Sequence, residues 1–396
     1  MEAIAQGTGA RTMLINPLKS LFSKKSTADG AQEQISPESP RYAYAFPSPY
    51  KRPRILVIVD KVSEAYFLHF HYILLRLHNT ESLAFFVLES AEISQWIEQK
   101  SPAAFVEQVI ADTQPTLVIF SQYKQPYADT LPALFKAQNA AIVCHICQLD
   151  DFQTVQNQSA AQNQIIEQAD LIYAATSYIG DRLLDQFPNK TTFSAKLTPY
   201  LNFLISNEQP NSQDLKIGCA GDQNNQADLE AIAPEVAQIL TDYPQAQFET
   251  FGGLAIPKTL APFENRVTAR EAPADYADYL NQLQQLGWAI GLLPQQETEA
   301  NRCKTPSQYL AYTACAIPTI ASDRPVYSLF KDGEIKDGEK ILLSQSDQWY
   351  DNIKQLIDNQ TLRSTLVANA QTYCQHHFSL ETVEAQIKEL IALAAL

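Results

Sequence analysis

Pro294-Gln295-Gln296-Glu297-Thr298-Glu299-Ala300-Asn301-Arg302-Cys303-Lys304-Thr305-Pro306-Ser307-Gln308-Tyr309-Leu310 decides how this chain is read, because the apolar run Trp288 to Leu293 precedes it and Ala311 to Ile320 follows. The pattern predicts strand, loop, helix and strand in that order. A loop carrying Asn, Arg, Lys and Thr, set between a strand's C-terminal end and a helix's first turn, gathers cations, a hydroxyl and backbone N–H groups. That combination suits a phosphate.

The same grammar extends in both directions. Arg54 to Asp60, Ala84 to Glu89, Thr116 to Ser121, Ala141 to Cys147 and Leu171 to Thr176 read as short β-branched strands separated by helical stretches. This alternation signals a parallel sheet with helical crossovers. The polar segment Ser206 to Gln213 interrupts it, and it restarts at Leu215 to Gly221, with further strands at Gln247 to Phe251, Trp288 to Leu293, Thr319 to Ser322 and Lys340 to Leu343. The fold class is therefore α/β, with two similar doubly wound halves in tandem. The expected division is a disordered basic tail over 1–52, a first Rossmann-like domain over 53–205, a second over 214–378 and a C-terminal helix over 379–396. Ligands bind outside the carboxyl ends of such strands, which places a site in the cleft between the halves.

The 396 residues are enough for two sizeable cores, and 45% hydrophobic with 18% charged residues is the balance of a soluble globular protein. No apolar run is long enough to span a bilayer and no secretory leader is legible, so the expected location is cytoplasmic. The net charge of −15 argues against a nucleic-acid groove. In the tail, Arg11, Lys19, Lys24, Lys25, Arg41, Lys51 and Arg52 outnumber Glu2, Asp29, Glu33 and Glu38, giving +3 there and −18 in the remainder. Met13 to Lys25 could form a basic amphipathic turn, and weak peripheral contact with the inner face of a membrane is a further expectation. A solvated tail is the plainer reading. The six cysteines follow no disulfide or zinc spacing and read as reduced core thiols, Cys144 and Cys147 included.

Gly218-Cys219-Ala220-Gly221 closes a strand and leads through Asn225 into a helix starting near Asp228; a glycine there lets backbone approach a diphosphate. Gly252 and Gly253 end the next strand in the same way. Asp150 and Asp151 close a strand of the first half, where a carboxylate could orient an acceptor hydroxyl or cap a helix. His69 and His71 lie on an apolar helical stretch, where buried histidines are common.

Asn301, Lys304, Thr305, Tyr312 and Pro318 stand in register with N-x-x-K-[ST]-x-x-K-x-x-E-Y, a small residue and Pro. This resembles the nucleotide-sugar loop of retaining GT-B glycosyltransferases, the family-four-like bacterial enzymes in particular. Gly221, Asp228 and Leu229 match that family's G-T-x-x-H-x-x-D-L, with Asn225 at the His, and Ser322 to Tyr327 match its S-x-x-x-x-Y segment. The Asp150-Asp151 pair is similar to an acidic segment of the same subgroup. The resemblance spans about Asp214 to Phe330. It implies two Rossmann-like domains facing across a cleft, and transfer of a sugar from a nucleotide-sugar donor to a carbohydrate or lipid-linked acceptor, with surface polysaccharide or glycoconjugate synthesis as the expected setting. Arg302, Lys304, Asp150 and Asp151 would be catalytic; Gly221, Asn225, Gly252, Gly253, Asn301, Thr305 and Tyr327 would bind the donor; no cofactor or metal is implied. The family's second Lys is Gln308, its ribose glutamate is Ala311, and its earlier glutamate falls at or beside Cys303. Those departures keep two alternatives open: an inactive GT-B-like interaction subunit, and a nucleotide-sugar epimerase.

Overall fold

The structure, a computed structural model, describes residues 39–49, 52–147, 160–195, 215–273, 276–328 and 340–394. Asp150, Asp151, the polar segment Ser206 to Gln213 and the basic stretch Met13 to Lys25 lie outside the described residues. In the first half the strands are β1 (Tyr44–Phe46), β2 (Arg54–Val59), β3 (Ala84–Glu89), β4 (Leu117–Ser121), β5 (Ala141–Ile146), β6 (Leu171–Ala174) and β7 (Thr192–Ser194). They pair in the order β1-β3-β2-β4-β5-β6-β7, parallel throughout except for the antiparallel β1–β3 edge. Ile55 to Val59 are buried without alternation, as expected of a parallel strand covered by helices on both faces.

The second half contains β8 (Lys216–Gly221), β9 (Gln247–Gly252), β10 (Val267–Arg270), β11 (Ile290–Leu293), β12 (Thr319–Ser322) and β13 (Leu342–Ser344). Its order, β10-β9-β8-β11-β12-β13, is parallel throughout. This is the doubly wound order 3-2-1-4-5-6, which changes direction between β8 and β11 and opens a crevice there. The sheet is closely packed beneath that point. A Cβ on Gly218 would lie 1.9 Å from the Trp288 ring, and one on Gly291 would lie 2.6 Å from Tyr312.

The C-terminal helix Leu380–Ala394 returns to the first half, where Arg76 binds Glu384 at 2.9 Å and Glu381 at 3.1 Å. Through it one apolar cluster runs from Ile55 and Leu77 to Ile387 and Leu390, taking in Trp288 and Tyr312 of the second half. Part of the segment read as a tail is ordered structure: β1 sits at the sheet edge, with Phe46 stacked 4.6 Å from Phe85 and Tyr44 stacked on Tyr66. Three residues are too few to show a period, which is why the sequence pattern missed it. Among the described residues no helix is long and apolar enough to cross a membrane.

Candidate functional site

A cleft of about 1390 Å³ opens between the halves, with the ends of β8, β9 and β11 on one side and Ser63, His69 and Cys147 on the other. Its floor is nearly bare backbone. Gly252 has φ +106°, a conformation that strains any residue with a Cβ, and such a Cβ would lie 2.3 Å from the Gly221 carbonyl oxygen. Gly253 N–H donates to that same oxygen at 2.9 Å. At Gly221 a Cβ would come within 2.8 Å of Asn225 Oδ1, which accepts from Asp222 N–H at 3.1 Å. The three glycines thus bring two strand ends together and leave room above them. Asn225 lines the cleft while its side-chain oxygen caps the turn.

Asp228, buried at 4% exposure, organises the loop after β11. Its Oδ1 accepts from Gln296 N–H at 2.8 Å and from Asn301 Nδ2 at 2.9 Å, and its Oδ2 lies 3.4 Å from Lys304 Nζ. Lys304 and Thr305 line the cleft just ahead of the helix Ser307–Ala314, whose N-terminus carries no side-chain cap. An ammonium and an uncapped helix start at a switch point form an anion cradle. Asn301 stands behind the cradle, where its amide fixes the loop and does not face the cleft.

Arg302 departs from the expectation. It is not part of the cleft lining; Nε and Nη2 bind Glu297 Oε1, each at 2.7 Å, on the exposed side. The cause is helical phase. In the short helix Glu299–Arg302 and its cap, Ala300 and Cys303 share the cleft-facing side, and adjacent positions point about 100° apart. Cys303 also packs into the first half's core, and burial pushes its thiol up to about 12. Glu299 meets the first half: Tyr178 Oη donates to Oε1 at 2.5 Å and Arg182 Nε lies 3.2 Å from it.

Ala311 is buried in the core, and no carboxylate stands in for it on that helix. Tyr312 proves architectural, because its Oη accepts from Ala220 N–H at 2.7 Å and burial holds its phenol far above the ordinary range. Tyr327 lines the cleft but is 3% exposed. Sequence reasoning missed Arg270, Tyr276 and Tyr279, which lie on the cleft surface with Gln308, the residue at the position of the family's second Lys. Arg270 Nη2 binds buried Glu249 at 2.9 Å, Phe251 stacks on Tyr279 at 5.0 Å, and Gln308 Nε2 donates to Tyr279 Oη at 2.9 Å. These contacts are long-range and follow no short motif; only the aromatic spacing of Tyr276 and Tyr279 offered a signal. Among the described residues no cluster of His, Cys, Asp or Glu is placed to hold a metal ion.

No protein family and no curated protein matches the chain by sequence. Solved structures do match in fold. Anabaena Alr3699/HepE in complex with UDP-glucose is 14% identical with a TM-score of 0.61, over 86% of this chain and 99% of that one. A mutant of S. aureus TarM, solved in complex with fondaparinux, alpha-GlcNAc-glycerol and UDP, is 15% identical with a TM-score of 0.54 over 73% of this chain; the match spans 58% of TarM's own length. A Listeria monocytogenes protein described as a putative UDP-N-acetylglucosamine 2-epimerase is 14% identical, with a TM-score of 0.55 over 86% and 97% of the two chains. The chain therefore has the two-domain GT-B fold. At these identities the likeness fixes the architecture and not the reaction.

Proposed function

We propose that the protein is a glycosyltransferase that takes a sugar from a uridine diphosphate donor and passes it to a carbohydrate or lipid-linked acceptor, with retention, in surface polysaccharide or glycoconjugate synthesis. The carrying observation is the cradle of Lys304, Thr305 and the uncapped Ser307–Ala314 helix above the glycine floor at the β8–β11 switch point. Breaking the glycosidic bond leaves charge on the departing diphosphate, and preorganised donors aimed at that charge lower the barrier. Lys304 supplies the positive charge that a divalent ion provides elsewhere, which supports a metal-independent reaction. Tyr276, Tyr279 and Ala272 offer a flat apolar edge for the base. UDP complexes of HepE and TarM support the choice of nucleotide for the test.

Calorimetry with UDP, UDP-glucose, UDP-galactose and UDP-N-acetylglucosamine, paired with an assay for UDP release, tests the reading. Binding by none of them overturns it. The buried Ala311, standing where the resemblance places one glutamate, and Cys303, at or beside the place of the other, favour a second reading in which the fold binds donor without transfer. Tight binding with no UDP release to water or to any saccharide acceptor would select that alternative.

A further inference from the structure

The first half's wall of the cleft consists of Ser63, Ala65, Leu68, His69 and Cys147, and His69 is its one imidazole among the described residues. His69 belongs to the π-helical turn Phe67–His71, a rare wide turn that is frequent at functional sites. Its Nδ1 lies 3.1 Å from Tyr173 Oη, and its ring centroid is 4.6 Å from that of His145. Farther in, His145 Nδ1 lies 2.8 Å from Ser121 Oγ, while His145 Nε2 is sealed without a partner. Ser121, His145 and Tyr173 thus form a buried polar row across the ends of β4, β5 and β6, and the row meets the cleft at His69. Two buried imidazoles and a phenol, with one ring nitrogen unbonded, cost more than an apolar core of the same volume would.

We propose that His69, positioned by Tyr173, hydrogen-bonds through Nε2 to a hydroxyl of the sugar carried on the nucleotide. The inference rests on the donor reading above. Burial raises the Tyr173 phenol well above its usual range, so it keeps its proton, and in the proposed arrangement it donates that proton to His69 Nδ1 in a hydrogen bond. The imidazole proton then sits on Nε2, the ring's remaining polar atom. Burial also lowers the His69 pKa to about 3, so the ring is neutral at physiological pH. A neutral donor suits a sugar hydroxyl, whereas the charged Lys304 across the cleft suits the diphosphate. The wall that faces the cradle would in this way distinguish one sugar from another.

The test is calorimetry on the full chain with UDP and with UDP-glucose, UDP-galactose and UDP-N-acetylglucosamine. His69→Phe keeps an aromatic ring and removes the donor; it should weaken the preferred UDP-sugar about tenfold relative to UDP, with UDP itself unchanged. His69→Gln should restore part of the loss, and Tyr173→Phe should give an intermediate one. Wild-type selectivity between UDP-sugar and UDP in His69→Phe and His69→Gln overturns the inference alone. Equal loss of UDP and UDP-sugar affinity also overturns it, in favour of a packing role. A wild-type protein that binds no uridine nucleotide overturns the donor reading and the inference with it.

Discussion

Lys304 Nζ lies 3.4 Å from buried Asp228, a carboxylate that Gln296 N–H and Asn301 Nδ2 also satisfy, so its contribution to a ligand is separable from its contribution to the fold. A charge-assisted contact to phosphate contributes roughly 1.5 to 3 kcal/mol, and Lys304→Ala should weaken UDP about tenfold or more with little change in melting temperature. Arg302→Ala should leave UDP affinity within about twofold, because its guanidinium is engaged with Glu297 outside the cleft. Calorimetry on the two variants checks both; a large loss in Arg302→Ala would mean that the side chain swings inward on binding. The order of residues made Lys304 and Thr305 legible, but it could not separate Arg302 from Lys304. That distinction depends on the phase of a four-residue helix, which sequence spacing does not fix. The buried histidines give a second prediction. His69 falls to about 3 and His145 well below its ordinary value, both from burial, while the unfolded chain titrates near 6.5. Between those values the unfolded state binds more protons, so the histidine contribution is complete above pH 6.5 and is lost as pH falls below it. Each buried imidazole removes up to about 1.4 kcal/mol per pH unit. Urea midpoints at about pH 7 and about pH 5.5, on either side of that value, should show this decline, and His145→Gln should flatten it; an equal slope in that variant would place the decline elsewhere.

At the scale of elements, the C-terminal helix Leu380–Ala394 stabilises the half that the chain built first. Val383, Ile387 and Leu390 are each 1% exposed, so truncating one large side chain leaves a cavity. Ile387→Ala should cost about 2 to 5 kcal/mol. Hydrogen exchange should show the added exposure at the helix Tyr72–Asn79 and the strands β5 and β6, not at β8 to β13. Protection lost instead across the second sheet would contradict this packing. The long amphipathic helix and the strongly apolar strands were legible in the sequence, because each repeats its period several times. β1, β7 and β10 have three or four residues and no period, and they exist because neighbouring strands offer unpaired edges. Arg270 and its Glu249 partner were hidden for the same reason. Their pairing arises from the parallel register of β10 on β9, which no local pattern encodes.

At the scale of the whole molecule, the cleft is larger than the proposed donor needs. Ligand pockets are typically about 300 to 1,000 Å³, whereas this one is about 1390 Å³, so a nucleotide sugar fills it only if the halves approach. In the proposed reaction, water left beside the anomeric carbon would compete with the acceptor, which gives closure a chemical purpose. The halves already touch where Tyr178 and Arg182 meet Glu299, on the same short loop as Asn301 and Lys304. Binding at Lys304 therefore acts on a loop attached to both halves. Small-angle scattering should show a smaller radius of gyration with saturating UDP-glucose than without. Glu299→Gln keeps one hydrogen bond from Tyr178 and removes the charge opposite Arg182; for a partly exposed pair that is worth under about 1 kcal/mol. It should shift UDP affinity less than about fivefold while reducing the compaction. Identical scattering with and without a nucleotide shown to bind would mean the cleft is already in its working form, with the acceptor itself filling the remaining space.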